Sequence, residues 1–400
     1  MPHFLIIGNS FAGTHAAKAC RTAVSDGDIT ICSSERFPFY SKPKLPAFIA
    51  GEVAQESLCV YPESWYADNN LCLVLNERAV SVDPAAREVT FANGAKRAYD
   101  KLLIANGSQA AFPPIAGLDQ PWVFSLRTLD DAIAIRAYAQ GKRSAIVIGG
   151  GLLGLEAGNG LRKLGLSVQV VEFFDRLLPR QTDKDGSAVL QETLKRMGFS
   201  FILGAVTERI YEESGKRCVK LKDGRIFSAD MVIVSAGIRP DTDLARTAGL
   251  KLAKGVVVDD RLQTSDPDIF AAGDVAEHQG RIYGIWPAAE EQGKIAGNNM
   301  SGEGESYKGT VMSTMLKVVG VDVSSAGDIS GDGAVQYFRA DEQDSLYQKI
   351  FVRDNAIIGA ILIGDTKKAF MIQKMIRDRV NVNGREDKIL LPDFNLRAMV

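Results

Sequence analysis

A short apolar strand, a glycine-bounded turn, a helix and a second strand ending close to an acid occur twice in this chain. That repetition restricts the fold more than any other feature. In the first copy His3-Phe4-Leu5-Ile6-Ile7 runs into Gly8-Asn9-Ser10-Phe11-Ala12-Gly13, then a helical stretch to about Arg21. The strand Ile29 to Cys32 follows, with Glu35 three residues beyond it. In the second copy Ala145 to Ile148 leads into Gly149-Gly150-Gly151-Leu152-Leu153-Gly154 and a helix that stops at Leu164, before Gly165. The strand Ser167 to Val171 then ends at Glu172. Parallel strands joined by helices need both faces of the sheet covered, so the chain reads as α/β with two such domains.

The residue types in these turns suit one kind of ligand. Gly8 and Gly149 permit the tight turn. Ser10 and Gly151 stand where a small residue lets a pyrophosphate approach the backbone, and Gly13 and Gly154 let helix and strand pack closely. The helix starts, at Phe11-Ala12 and Leu152-Leu153, offer unbonded N–H groups and a positive dipole end to phosphate. Glu35 and Glu172 are placed to accept hydrogen bonds from an adenosine ribose. Ser10 crowds the first turn relative to glycine, but its hydroxyl can donate to phosphate. One glycine motif is weak testimony; each copy here has its strand, helix and acid in order. Two Rossmann-like units on one chain imply transfer between two dinucleotides.

Other classes are disfavoured. A net charge of −2 supplies no field to draw nucleic acid. No apolar run approaches the roughly 20 residues of a spanning helix, and the start Met1-Pro2-His3 has no signal-peptide layout. The expectation is a cytoplasmic protein without membrane contact. The five cysteines, Cys20, Cys32, Cys59, Cys72 and Cys218, form no Cys-x-x-Cys unit, and three histidines make a histidine-rich metal centre improbable. No metal is expected.

Thr264-Ser265-Asp266-Pro267-Asp268-Ile269-Phe270-Ala271-Ala272-Gly273-Asp274, with the two turns, resembles the FAD-dependent pyridine nucleotide-disulfide oxidoreductase superfamily. The resemblance implies that Asp274, after Gly273, binds the ribityl chain of FAD, so the first unit holds FAD and the second NAD(P)H. It extends to Tyr99 to Gly107, with Ala105 at the strand exit and Asn106 where the family usually has Thr, and to Ser235-Ala236-Gly237-Ile238-Arg239-Pro240. It implies further FAD contacts at Lys42, Val80 and Arg127. The segment Trp286-Pro287-Ala288-Ala289 resembles the helix start aimed at the flavin pyrimidine. Glu172 implies NADH in preference to NADPH, a discrimination that Arg176 and Arg180 would soften. Glu156 matches the glutamate that relatives pair with a lysine beside flavin N5. That lysine's position is Ala47 here, so Lys44 or Lys42 is the expected substitute.

Tyr40-Ser41-Lys42-Pro43-Lys44-Leu45-Pro46 has no sulfur where the thiol-using subclasses carry cysteine. With Phe48-Ile49-Ala50-Gly51 it resembles the NAD(P)H:rubredoxin oxidoreductases and the flavoprotein module of the nitrite reductase large subunit. Met315 to Val323 and Ile357 to Gly364 resemble their small third domain. The expected layout is an FAD domain of 1–115 and 243–305, an NAD(P)H domain of 116–242, and a C-terminal α+β domain of 306–400. The chain ends at Val400 without cysteine sets for siroheme or an iron–sulfur cluster, so nitrite reduction by it alone is not expected. The resemblance implies an NADH-dependent reductase of a small carrier, rubredoxin- or ferredoxin-like, acting as monomer or homodimer. An NADH oxidase and a slow-turnover redox-sensing flavoprotein are the competing readings. Lys367, Lys368, Lys374, Arg377 and Arg379 interleave with apolar residues at helical spacing, as a basic helix face or as a docking surface for an acidic carrier.

Overall fold

The computed structural model describes residues 1–341 and 343–399, with backbone only for residues 313 and 315–318. The chain divides into two compact units. The first comprises Met1–Lys44, Ala54–Gln109 and Ile238–Thr310, and the second Leu45–Val53, Ala110–Gly237 and Val311–Val400.

In the first unit a parallel sheet runs in the order Ile269–Ala271, Lys101–Ile104, His3–Ile7, Asp28–Cys32, Cys72–Val74. Phe4 to Ile7 and Leu102 to Ile104 are buried without alternation, as strands covered on both faces require. Helix Phe11–Ala23 packs against helix Trp286–Met300 at very short range. A Cβ on Gly293 would lie 2.2 Å from the Ala12 carbonyl oxygen, so two backbones meet where any side chain would separate them. An antiparallel sheet of Ala79–Asp83, Glu88–Phe91 and Lys96–Ala98 completes the set of sheets that bears on the site.

The second unit holds the other parallel sheet, ordered Phe199–Ile202, Ser167–Val171, Ser144–Ile148, Met231–Val234, Val123–Phe124. Short helix Leu45–Ile49 joins this unit, packed against helix Leu152–Lys163, where a Cβ on Gly160 would lie 2.8 Å from the Pro46 carbonyl oxygen. The C-terminal part is an antiparallel sheet, Ser313–Val318, Val321–Gly327, Ala356–Ile363, Leu346–Arg353, Val335–Asp341, with helix Ala369–Asp378 against it. The architecture is therefore α/β with two parallel-sheet nucleotide folds and an α+β third part, as the sequence predicts.

Candidate dinucleotide sites

The two glycine turns are built alike. Gly8 has φ +121°, and a Cβ there would lie 2.1 Å from the Ala105 carbonyl oxygen. Gly149 has φ +115°, and a Cβ there would lie 2.1 Å from the Ser235 carbonyl oxygen. Both N–H groups donate across to the second strand, Gly8 to the Cys32 carbonyl and Gly149 to the Val171 carbonyl, each at 2.8 Å. Gly13 and Gly154 sit one helical turn in, where a Cβ would run into the carbonyls of Gly8 and Gly149 at 1.9 and 2.2 Å. These turns are closed on the protein side by backbone.

On the other side the second turn is open. Nothing lies within 4 Å of a Cβ built on Gly151. Neither Ser10 nor Gly151 gives its helix a side-chain cap, so the first N–H groups at Phe11-Ala12 and Leu152-Leu153 await an acceptor. The helices with structural duties differ. Thr128 and Asp131 form a full capping box on Leu129–Ala139, and Asp183 caps Lys184–Arg196. The donor set thus fits a pyrophosphate at each turn.

The two acids are held differently. Glu172 is buried; its Oε2 accepts from the Gly150 N–H at 2.5 Å and its Oε1 from the Phe174 N–H at 2.7 Å. The acid therefore braces the very turn beside it. Glu35 is held by side chains, the Tyr40 hydroxyl and Lys42 Nζ, the latter at 3.0 Å. Lys42 thus sits at the acid end of the first unit.

The remaining expected residues fall as follows. Gly273, with φ +83°, donates its N–H to Gln292 Oε1 at 2.8 Å, and Asp274 Oδ2 accepts from the Ser108 hydroxyl at 2.7 Å. Ala105 ends its strand with its N–H bonded to the Ile7 carbonyl at 2.8 Å, beside the first turn. Val80 is exposed on Ala79–Asp83. Arg127 precedes the capping box and donates its backbone N–H to Asp131. Gly237, at φ +100°, accepts from the Ala111 N–H. Pro287 is the second residue of helix Trp286–Met300, and Trp286 stacks on Phe11 of the first turn with ring centroids 4.7 Å apart. Lys44 Nζ reaches the Ser57 carbonyl at 3.4 Å. Glu156 is half-buried, and burial lifts its carboxyl to about 7.

Burial pushes the Cys20 thiol up to about 11, Cys32 to about 12 and Cys59 upward as well. All five cysteines are free, and burial holds Cys20, Cys32 and Cys59 in the unreactive thiol form. Among the described residues no cluster of three His, Cys, Asp or Glu side chains suits a metal, and no helix is long and apolar enough to cross a membrane. Sequence reasoning missed three features. The exposed pair Phe173-Phe174 follows Glu172, Trp286 stacks on Phe11, and Lys349 is buried on Asp183. The first was legible as two aromatics after the acid; the others join residues far apart in the chain.

Residues 2–293 match the family model described as pyridine nucleotide-disulphide oxidoreductase, and residues 313–380 match the rubredoxin NAD+ reductase C-terminal domain. The chain is 33% identical to the NADH-rubredoxin oxidoreductase of Clostridium acetobutylicum, covering 93% of each. It is 36% identical to the nitrite reductase [NAD(P)H] of Bacillus subtilis, over 95% of this chain and 48% of that protein. The chain thus spans about half the length of the nitrite reductase relatives it matches. Among solved structures, the ferredoxin reductase for the CYP199A2 system from Rhodopseudomonas palustris gives a TM-score of 0.91 at 26% identity, covering 100% of both chains.

Proposed function

This chain belongs to the pyridine nucleotide-disulphide oxidoreductase family, and from that membership we propose that it passes electrons from NADH through FAD to a small one-electron carrier protein. Membership itself makes it an NAD(P)H-dependent flavin oxidoreductase related to the rubredoxin and ferredoxin reductases. Bound FAD would supply the chemistry of accepting a hydride from the nicotinamide and passing its electrons on singly. The observation that carries the proposal is the near-identity of the two glycine turns, joined to the absence of sulfur from 40–46. Two matched pyrophosphate cradles serve two dinucleotides, and without a thiol in that segment the electrons go to an external acceptor.

In this reading Gly8, Ser10, Phe11, Ala12, Gly13, Glu35, Lys42, Val80, Ala105, Arg127, Gly273, Asp274 and Pro287 serve FAD. Gly149, Gly151, Leu152, Leu153, Gly154, Glu172 and Gly237 serve the nicotinamide nucleotide. NADH is the favoured donor because a buried carboxylate at Glu172 accepts from ribose hydroxyls and repels a 2′-phosphate. Arg176 supports this, since its guanidinium is engaged within its own loop by Asp175, Pro179 and Thr182. Glu156, near neutrality in its pKa, is the group that changes charge beside the second turn.

The carrier surface we assign is the basic strip of helix Ala369–Asp378 and its approach: Lys367, Lys374 and exposed Phe370. Lys368 contributes little to it, because its Nζ turns to the carbonyls of Ile389 and Leu391. The C-terminal match to a rubredoxin reductase domain supports the choice.

Anaerobic stopped-flow tests the proposal. The FAD-loaded protein is mixed with NADH, then the reduced protein with rubredoxin or with oxygen. Rapid bleaching with fast reoxidation by rubredoxin is expected. Fast reoxidation by oxygen would make the chain an oxidase, and no bleaching would refute hydride transfer altogether.

A further inference from the structure

We propose that Lys349, on the C-terminal sheet, is a positioning residue for the nicotinamide nucleotide, holding through Asp183 the loop that shapes the second glycine turn. The inference rests on reading that turn as a nucleotide site. Lys349 lies on Leu346–Arg353, 166 residues from Asp183, and its side chain is 9% exposed. Its Nζ stands 2.5 Å from Asp183 Oδ2, and the Tyr347 hydroxyl donates to the same oxygen at 2.6 Å. The rings of Tyr347, Phe351 and Phe338 surround the ammonium at 5.6, 5.8 and 6.0 Å. Burial pushes the Asp183 carboxyl up, yet the ammonium and the phenol hold it below its ordinary value.

From Asp183 a continuous set of bonds reaches the turn. Its other oxygen accepts from the Gly186 N–H at 2.9 Å and starts helix Lys184–Arg196. Ser187 of that helix accepts from the Leu177 N–H at 2.8 Å through its hydroxyl oxygen. Leu178 then donates its N–H to the Gly150 carbonyl at 3.0 Å, and the Gly150 N–H goes to Glu172. There is little slack in this set. Leu177 and Leu178 are fully buried, and a Cβ on Gly150 would lie 2.8 Å from Leu177 Cδ2. Leu178 is held at φ +49°, a left-handed conformation that a leucine keeps only when its surroundings impose it. Removing the lysine leaves a half-buried carboxylate without its cation, held by the Tyr347 hydroxyl and the Gly186 N–H alone, which loosens the helix start and the loop. The loosened groups are those that present Gly150 and Glu172.

The test uses the FAD-loaded full chain with Lys349→Met, and with Tyr347→Phe as a milder change that keeps the cation. Calorimetry gives Kd for ADP-ribose, which carries the adenosine and pyrophosphate without nicotinamide. Kd, and KM for NADH, should rise about 2- to 30-fold in Lys349→Met, with the flavin reduction rate at saturating NADH within about twofold of the parent. Tyr347→Phe should shift Kd the same way by less. Amide exchange in residues 176–183 should quicken. The effects of Asp183→Asn and Lys349→Met should be non-additive. Parental Kd in both variants, with or without a lower Tm, would reduce Lys349 to a structural strut and leave the functional reading intact. A parent chain that fails to bind ADP-ribose would overturn both.

Discussion

Replacing Glu172 with glutamine tests the nicotinamide site at its most constrained atom. Each oxygen of the buried carboxylate accepts a different backbone N–H, Gly150 at one side and Phe174 at the other. Glutamine has one acceptor oxygen, so its NH2 must face one of those donors. An unsatisfied buried N–H costs about 1–3 kcal/mol, and the surviving bond loses its charge assistance, about 1 kcal/mol more. The expected loss of stability is therefore about 2–4 kcal/mol. For a cooperative unit of about 150–250 residues this lowers Tm by roughly 4–16 °C. Binding suffers separately. A charged acceptor to a ribose hydroxyl contributes about 1.5–3 kcal/mol, so KM for NADH should rise about 10- to 150-fold. NADPH, repelled by the parent charge, should lose little, and the NADH-to-NADPH ratio of kcat/KM should fall at least about tenfold by the same figures. Thermal melts with and without NADH and steady-state kinetics with both nucleotides decide it. KM for NADH within about twofold of the parent would refute the ribose role. A lower Tm with unchanged KM would leave Glu172 as a loop brace only.

Other outcomes follow from the same geometry. Glu156 has its folded pKa raised from 4.5 to about 7, so it binds protons that the unfolded chain has released. Stability should therefore fall as pH rises from about 4.5 to 7 and stay lower above that, by at most ~3 kcal/mol. Denaturant titrations at both ends of that window should show Glu156→Gln without this slope; an unchanged slope would mean that the carboxyl is not buried. An unchanged rate of flavin reduction in Glu156→Gln would remove it from the chemistry. Gly149→Ala forces a Cβ to within 2.1 Å of the Ser235 oxygen at φ +115°. It should abolish bleaching by NADH, and a parental rate would contradict the cradle. Charge reversal at Lys367 and Lys374 should slow carrier reduction at low salt and leave NADH-to-ferricyanide turnover alone; equal carrier rates would move the docking surface elsewhere.

Much of this protein is legible in the sequence because its signals are local. A tight turn that takes the backbone to φ +121° at Gly8 and +115° at Gly149 favours glycine there by local sterics alone. Unbroken apolar strands such as Phe4 to Ile7 announce a sheet covered on both faces, and the acid after the second strand falls where the strand ends. The tertiary structure decided what depends on who meets whom. Lys42 lies near Glu35 in sequence, yet their ion pair required the intervening turn to fold back. Helix Leu45–Ile49 lies in sequence between two segments of the first unit but packs in the second, because Gly160 leaves a groove for its backbone. The near-neutral carboxyl of Glu156, the inert thiols of Cys20 and Cys32 and the burial of Lys349 on Asp183 all arise from low-dielectric surroundings. Residues from distant parts of the chain build those surroundings. Backbone sterics act between neighbours and can be read from sequence; desolvation and ion pairing act through space and need the fold.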